Sequence, residues 1–221
     1  METRTDLTAF AAKIGEVRKR IADVVVGQTE AVDMLLTCII ADGHVLIEGV
    51  PGVAKTLLAR LMSRLIDARF SRIQFTPDLM PSDVLGTSVF NMKTQEFSFH
   101  PGPAFADIIL ADEINRAPAK TQAALFEVME ERQATIDGTS YKMGDVYTII
   151  ATQNPIEQEG TYRLPEAQLD RFLMKITMGY PSLDDEVEIL RRHNEHTSFA
   201  RLEDVEPIIT KEELTELRKM M

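Results

Sequence analysis

Hydrophobic and polar residues follow one another along the chain in blocks that predict helices and strands in turn. Apolar residues spaced three and four apart predict an amphipathic helix over Leu7–Val25, ended by Gly27, and a mostly apolar stretch predicts a buried helix over Glu30–Ala41. Two more helices are predicted over Thr56–Ile66 and Thr121–Glu131, and short apolar runs predict five strands: His44–Ile47, Arg72–Phe75, Ile108–Leu110, Val146–Ala151 and Phe172–Ile176. Short apolar strands alternating with helices are typical of an α/β fold with a mostly parallel sheet covered on both faces.

Two further segments alternate between apolar and polar residues and predict β-hairpins. Val89–Phe99 carries polar residues near its middle, and Ala134–Met143 turns at Asp137-Gly138. Pro181 is a plausible boundary, because the chain beyond it is charged and helical over Leu183–His193 and from Lys211 onward. We therefore expect one large unit over residues 1–180 and the start of a helical unit over 181–221, truncated because its last helical pattern has no C-cap.

Composition and charge narrow the classes of function. Of the 221 residues, 44% are hydrophobic and 27% are charged, with a net charge of −11, which argues against a broad nucleic-acid surface but allows a small basic pocket. A single cysteine, Cys38, excludes an internal disulfide. No apolar run approaches the ~20 residues of a spanning helix and no signal peptide is visible, so we expect a soluble, cytoplasmic protein without membrane contact.

The segment Gly49-Val50-Pro51-Gly52-Val53-Ala54-Lys55-Thr56 lies between a predicted strand and a predicted helix, the context that a phosphate-binding loop requires. Small residues let backbone N–H groups converge on phosphate oxygens, Lys55 would reach the β- and γ-phosphates, and the Thr56 hydroxyl would bind Mg²⁺. Ala54 replaces the usual glycine, and its methyl group fits if the residue has helical dihedral angles. The candidate nucleotide-binding residues here are Gly49, Val50, Pro51, Gly52, Val53, Ala54, Lys55, Thr56 and Leu57. The alternative is a strand-to-helix turn with an incidental lysine.

Asp112 and Glu113 directly follow the apolar strand Ile108–Leu110 and its next residue, Ala111. Parallel sheets present ligand sites at the carboxyl ends of their strands. Asp112 could hold Mg²⁺, directly or through water, and Glu113 could orient and deprotonate an attacking water. An exposed acidic pair in a loop is the alternative, but the upstream phosphate loop favours the functional interpretation.

Polar residues after the later strands complete the candidate site. Asn154 follows the predicted strand Val146–Ala151 and could hydrogen-bond the γ-phosphate or the lytic water. Gln153, its neighbour, is the second candidate for this role. Arg163 and Arg171 lie near a short predicted helix, and either could reach a neighbouring subunit's γ-phosphate or form a surface ion pair. The residues alone do not decide between these two arginines.

Together these motifs resemble the AAA+ ATPases, and specifically the MoxR family. The resemblance covers about Val26 to Phe172 and rests on three features, of which the first is the phosphate loop with alanine before Lys55. The second is the run Ala111-Asp112-Glu113-Ile114-Asn115-Arg116-Ala117, followed by Gln122-Ala123-Ala124-Leu125 and Met129-Glu130-Glu131. The third is Ala151-Thr152-Gln153-Asn154-Pro155 together with Leu164 to Phe172. It implies a five-stranded sheet in the order 5-1-4-3-2, with a hairpin inserted in helix 2 near residues 86–101.

The resemblance also implies roles for particular residues. Asn154 takes the sensor 1 role, the trans-acting arginine finger lies near Arg171 with Arg163 as runner-up, and Val26 and Gly27 contact adenine. The family's lid carries a sensor 2 arginine that the sequence does not reach. The absence of this arginine affects the expectation of hydrolysis and hexamer formation more than the expectation of nucleotide binding.

The function so implied is a Mg²⁺-dependent, ring-forming ATPase that remodels or matures partner proteins, among them von Willebrand factor A domain proteins. Two other functions remain open from the sequence. One is a DNA-associated motor or regulator of the same helix-2-insert branch, against which the net charge of −11 argues. The other is a nucleotide-binding scaffold without turnover, against which the intact Asp112-Glu113 pair argues.

Overall fold

The computed structural model describes residues 7–154, 161–194, 202 and 205–220. Its helices are α1 (Leu7–Ala22), α2 (Thr29–Ile40), α3 (Lys55–Leu65), α4 (Pro81–Leu85), α5 (Ala119–Glu131), α6 (Glu166–Leu169), α7 (Leu183–Asn194) and α8 (Lys211–Met220). Its strands are β1 (Val45–Gly49), β2 (Phe70–Gln74), β3 (Gly86–Asn91), β4 (Glu96–Pro101), β5 (Ile108–Asp112), β6 (Gln133–Ile136), β7 (Thr139–Lys142), β8 (Thr148–Gln153) and β9 (Met174–Met178). A short 3₁₀ turn covers Ile114–Arg116.

Five strands form a parallel sheet in the order β2-β5-β8-β1-β9. Counting only these five along the chain, the order is 2-3-4-1-5, so the predicted order 5-1-4-3-2 is confirmed. Their apolar side chains alternate between two faces, and each face packs against its own helices. The α/β fold predicted from the apolar runs is therefore confirmed.

One face of the sheet packs against α1, α2 and α3, together with residues of the segment that leads into α8. The other face packs against α4, α5 and the chain around Phe172. Leu46 and Ile47 are adjacent in β1 and lie in opposite clusters, which is the alternation expected of a strand buried on both sides. Rigid layers on both faces fix the carboxyl ends of the central strands, where the candidate site lies.

Both predicted hairpins are present, β3–β4 and β6–β7, and each forms a two-stranded antiparallel sheet. Phe99 of β4 stacks on Tyr141 of β7 with ring centroids 4.0 Å apart, so the two hairpins touch through an aromatic pair. Beyond that contact, β3–β4 projects from the core and exposes Phe90 and Phe97 to solvent.

The structure moves the bounds of several predicted elements and adds two, helix α4 and the 3₁₀ turn. Strand β2 begins at Phe70, two residues before its predicted start, because Phe70 and Ser71 pair with β5 despite their mixed polarity. Helix α4 was not predicted, since its five residues are too few to show a helical period. No helix among the described residues is long and apolar enough to cross a membrane.

Candidate nucleotide-binding site

A cavity of about 410 Å³ opens where the carboxyl ends of β5 and β8 meet the start of α3. Its walls combine the phosphate-loop segment with the acidic pair and the asparagine that the sequence singled out. The lining residues are Pro51, Gly52, Val53, Ala54, Lys55, Thr56, Leu57, Asp112, Glu113 and Asn154. Residues far apart in the sequence are thus brought to one edge of the sheet, as expected for an open parallel sheet.

The loop before α3 is built from two residues with left-handed backbone angles, Gly52 (φ 87°) and Ala54 (φ 62°, ψ 22°). Ala54 therefore does not have the helical dihedral angles under which its methyl group was expected to fit. Alanine tolerates this conformation at a cost of about 1 kcal/mol because its only side-chain atom is a methyl group. The sharp turn lets α3 begin at Lys55, and the first amides of that helix, which have no partner within it, belong to residues that line the cavity.

Lys55 folds back onto its own loop. Its ammonium group donates to the carbonyl oxygen of Gly49 at 2.7 Å and contacts that of Val50 at 3.4 Å. Burial lowers the pKa of Lys55, while the charges of Asp112 and Glu113 raise it and offset part of that effect. The positive charge therefore lies close to both acids, where an anionic ligand would meet it.

Asp112 is the last residue of β5, and its side chain is 12% exposed. Its Oδ1 accepts a hydrogen bond from the Thr152 hydroxyl at 2.6 Å, and its Oδ2 accepts two from Arg72, at 2.7 and 3.1 Å. The Thr152 oxygen in turn accepts the backbone N–H of Glu113 at 2.9 Å. Thr152, buried in β8, thereby ties the ends of the two strands together.

Glu113 adopts a left-handed backbone (φ 56°), an uncommon conformation for a residue with a side chain, often found where function requires it. Its Oε2 accepts the Gln74 amide at 2.9 Å and pairs with the Arg116 guanidinium at 3.2 Å. The carboxylate is thus oriented by two partners while remaining part of the cavity wall.

The two amides at the end of β8 point in different directions. Asn154 is nearly buried and lines the cavity. Gln153 donates to Glu48 of β1 at 2.5 Å, on the opposite face of the sheet. Of the two candidates, the structure thus places Asn154 at the site.

The remaining predicted residues lie outside the cavity wall. Gly27 (φ 75°) packs so closely against Asp185 of α7 that an added Cβ would lie 2.7 Å from its carboxylate, and Val26 adjoins it. Arg171 pairs with Glu130 at 2.5 Å and donates to the carbonyl of Ala167. Arg163 is exposed. Neither arginine is brought to the cavity of its own chain.

Sequence reasoning missed the side chains that hold the acidic pair: Arg72, Gln74, Arg116 and Thr152. The signal was present in β2, where Arg72 and Gln74 place polar side chains on one face of a strand whose intervening Ile73 is buried. A strand whose sheet is covered by helices on both faces rarely carries two such residues on one face unless they have partners. The chemical result is one cavity with a lysine, a hydroxyl, two carboxylates and an amide, a donor set that fits a phosphate chain with a divalent cation.

A sequence profile of the ATPase family associated with various cellular activities (AAA) matches residues 44–174. The chain belongs to this family. It is 51% identical over 186 residues to Chaperone MoxR1 of Mycobacterium tuberculosis, covering 83% of this chain and 49% of that one. It is 48% identical over 206 residues to the uncharacterized protein YeaC of Bacillus subtilis, covering 93% of this chain and 63% of YeaC.

The crystal structure of a candidate ATPase from Cytophaga hutchinsonii is also similar, with a TM-score of 0.79 and 44% identity over 96% of this chain and 66% of that one. The MoxR-family resemblance drawn from the motifs is confirmed by these relatives. The chain spans about half to two thirds of their length.

Proposed function

We propose that this chain binds ATP together with Mg²⁺ and is the hydrolysing core of a MoxR-type AAA+ ATPase. The observation that carries the proposal is the one cavity that Lys55, Thr56, Asp112, Glu113 and Asn154 line together. Membership of an ATPase family supports it independently.

Each side chain has a role that follows from its place. Lys55 and the first amides of α3 would neutralise the phosphate oxygens, and Thr56 and Asp112 would hold Mg²⁺, which when bound supplies further positive charge at the phosphates. The carboxylate of Glu113, already oriented by Gln74 and Arg116, accepts a proton from the attacking water. Asn154 donates a hydrogen bond to the γ-phosphate or to that water.

The proposed role of Glu113 is tested by Glu113→Gln, which keeps the side chain's shape and removes its basicity. We expect ATP affinity within about threefold of wild type and phosphate release lowered by about 10²-fold or more. Glu96→Gln, on the exposed β3–β4 hairpin, is the matched control and should leave both unchanged. Unchanged turnover in Glu113→Gln would refute its role as the base, and a wild-type chain that binds ATP without releasing phosphate would favour a scaffold function.

We propose further that the protein acts as a homo-oligomeric ring, with six subunits the expected number, in which a neighbour's arginine completes the site. The motif resemblance favours Arg171, but the ion pair with Glu130 occupies that side chain, whereas Arg163 is exposed. The contacts therefore favour Arg163. Mixing Arg163→Ala subunits with Lys55→Ala subunits should restore part of the turnover if Arg163 acts across an interface, and Arg171→Ala in the same assay tests its rival.

A protein-remodelling role is the cellular function we favour. The name of the Mycobacterium tuberculosis relative is that of a chaperone, and the projecting β3–β4 hairpin exposes Phe90 and Phe97, which suit a polypeptide partner.

Near the tip of the β3–β4 hairpin, Lys93 and Glu96 are opposite in charge, so the hairpin offers DNA no net positive surface. Capture by the ATP-loaded Glu113→Gln protein would identify the client, with a von Willebrand factor A domain protein as the expected class. Salt-sensitive stimulation of turnover by DNA would instead support the DNA-motor alternative.

A further inference from the structure

Arg72 of strand β2 lies directly against Asp112. The parallel register places Arg72 beside Leu110 and Gln74 beside Asp112, so both polar side chains of β2 are on the face toward α3. From there the Arg72 guanidinium donates to Asp112 Oδ2 through Nη2 at 2.7 Å and through Nε at 3.1 Å. Two charge-assisted bonds to one oxygen make this a directed contact between an arginine and a carboxylate.

Both oxygens of Asp112 accept hydrogen bonds from within the chain, because Thr152 donates to Oδ1 at 2.6 Å. The Asp112 side chain is 12% exposed, while that of Arg72 is 45% exposed. An enclosed carboxylate is strongly unfavourable without a cationic partner, whereas a half-exposed guanidinium can return to water at little cost. The pair therefore matters more to Asp112 than to Arg72.

We propose that Arg72 is an internal counter-ion for Asp112 that competes with a divalent cation for the same carboxylate, and thereby sets the metal affinity of the site. The inference rests on the proposed function, in which Asp112 contributes to the Mg²⁺ site. A hard divalent cation and a guanidinium both require carboxylate lone pairs, and two positive charges beside one carboxylate repel each other. Binding of the cation is therefore weakened by the free energy needed to displace or outcompete Arg72.

The same guanidinium also reaches the second acid through one intermediate residue. Arg72 Nη2 donates to Gln74 Oε1 at 2.5 Å, and Gln74 Nε2 donates to Glu113 Oε2 at 2.9 Å. Movement of Arg72 away from Asp112 would therefore loosen the orientation of Glu113. Arg72 acts on both acids as a positioning residue, without touching the nucleotide itself.

The test is the affinity of the whole chain for Mn²⁺ in the presence of saturating ADP, measured by electron paramagnetic resonance of the free ion. We expect Arg72→Gln to bind Mn²⁺ about 3- to 10-fold more tightly than wild type, because the competing charge is gone. Arg72→Lys should remain closer to wild type. Arg69→Gln is the matched control, since it removes the same charge just before β2 from a residue that pairs with Asp107 instead.

A structural readout accompanies the affinity. Without metal or nucleotide, Arg72→Gln should lower the thermal midpoint of unfolding by leaving Asp112 without its cation, and the double variant Arg72→Gln/Asp112→Asn should recover most of the loss. A purely local packing role for Arg72 would show no such recovery and would overturn the proposal.

Asp112→Asn separates this inference from the proposed function. We expect it to weaken Mn²⁺ binding about 10-fold or more. If it does so while Arg72→Gln binds Mn²⁺ no more tightly than wild type, the competition by Arg72 is refuted and the proposed metal site stands. If Asp112→Asn binds Mn²⁺ as wild type does, the metal role of Asp112 is refuted, and the inference about Arg72 falls with it.

Discussion

His44 couples the stability of this fold to pH, because it is buried in its neutral form with both ring nitrogens engaged. Only 6% of the residue is exposed. Its Nδ1 accepts the backbone N–H of Ile149 at 3.0 Å, so Nε2 carries the proton and donates to the carbonyl of Met129 at 3.3 Å. A second proton on Nδ1 would face the Ile149 N–H and break that bond.

The size of the effect follows from the pKa of His44. Burial, together with the charge of Arg132, lowers that pKa from 6.5 to about 4, although the hydrogen bond to Met129 works in the opposite direction. The unfolded chain therefore takes up this proton first as the pH falls, so the folded state loses stability between pH 6.5 and 4. At ~1.4 kcal/mol for each pH unit, the loss is about 2.5 kcal/mol by pH 4.5 and about 3 kcal/mol in full.

Urea unfolding followed by circular dichroism between pH 8 and 4.5 measures this loss. We expect the free energy of unfolding of wild type to fall by about 2.5 kcal/mol across that range, and that of His44→Gln, although lower throughout, to change much less. His100→Gln is the matched control, because His100 is exposed on the β3–β4 hairpin and should leave the wild-type pH dependence unchanged. An equally steep pH dependence in His44→Gln would refute the reasoning.

Two further predictions concern the backbone and a buried hydroxyl. Ala54→Gly should raise the free energy of unfolding by about 0.5–1 kcal/mol, because glycine adopts the left-handed angles of Ala54 without strain. Ala59→Gly, inside α3, should lower it by about 1 kcal/mol, and a loss in both variants would contradict the strain argument. Tyr147→Phe should be neutral or stabilising by about 1 kcal/mol in urea unfolding, since the Tyr147 hydroxyl is buried and finds no hydrogen-bond partner among the described residues. A loss above about 1 kcal/mol would show that this hydroxyl has a partner, and Tyr141→Phe, in a stacked but less buried ring, provides the comparison.

Much of the fold was predictable because its central strands are short apolar runs set between helices. β5 and β8 are buried on both faces, so each contains an unbroken apolar run, Ile108–Ala111 and Ile149–Ala151, that is followed by polar residues. Edge strand β2 was harder to delimit, because it carries polar side chains that bind Asp112 and Glu113 instead of packing in a core. The length of β2 depends on its pairing with β5, and the pattern of apolar and polar residues within β2 does not show that pairing.

The parts of the candidate site that consist of contiguous residues, such as the loop before Lys55, were predictable from the sequence. The parts that depend on contacts between distant residues were less predictable. The polar residues of β2 indicate that Arg72 has a partner but not that the partner is Asp112, and nothing near Arg171 indicates its pair with Glu130. The left-handed angle at Ala54 was likewise hidden, because the requirement that α3 begin at Lys55 overrides the intrinsic preference of alanine. Apart from this local turn, contacts between distant segments account for what the sequence left open.

In the proposed function, the cavity at the ends of β5 and β8 binds the phosphates of ATP. The most direct measurement is the affinity of Lys55→Ala for a fluorescent ATP analogue in the presence of Mg²⁺. Lys93→Ala is the matched control, because it removes the same charge from the exposed hairpin. We expect an affinity at least about 10-fold weaker for Lys55→Ala, because the ammonium contact to the phosphates is lost, and no change for Lys93→Ala. A folded Lys55→Ala protein that binds the analogue as tightly as wild type would contradict the proposed function.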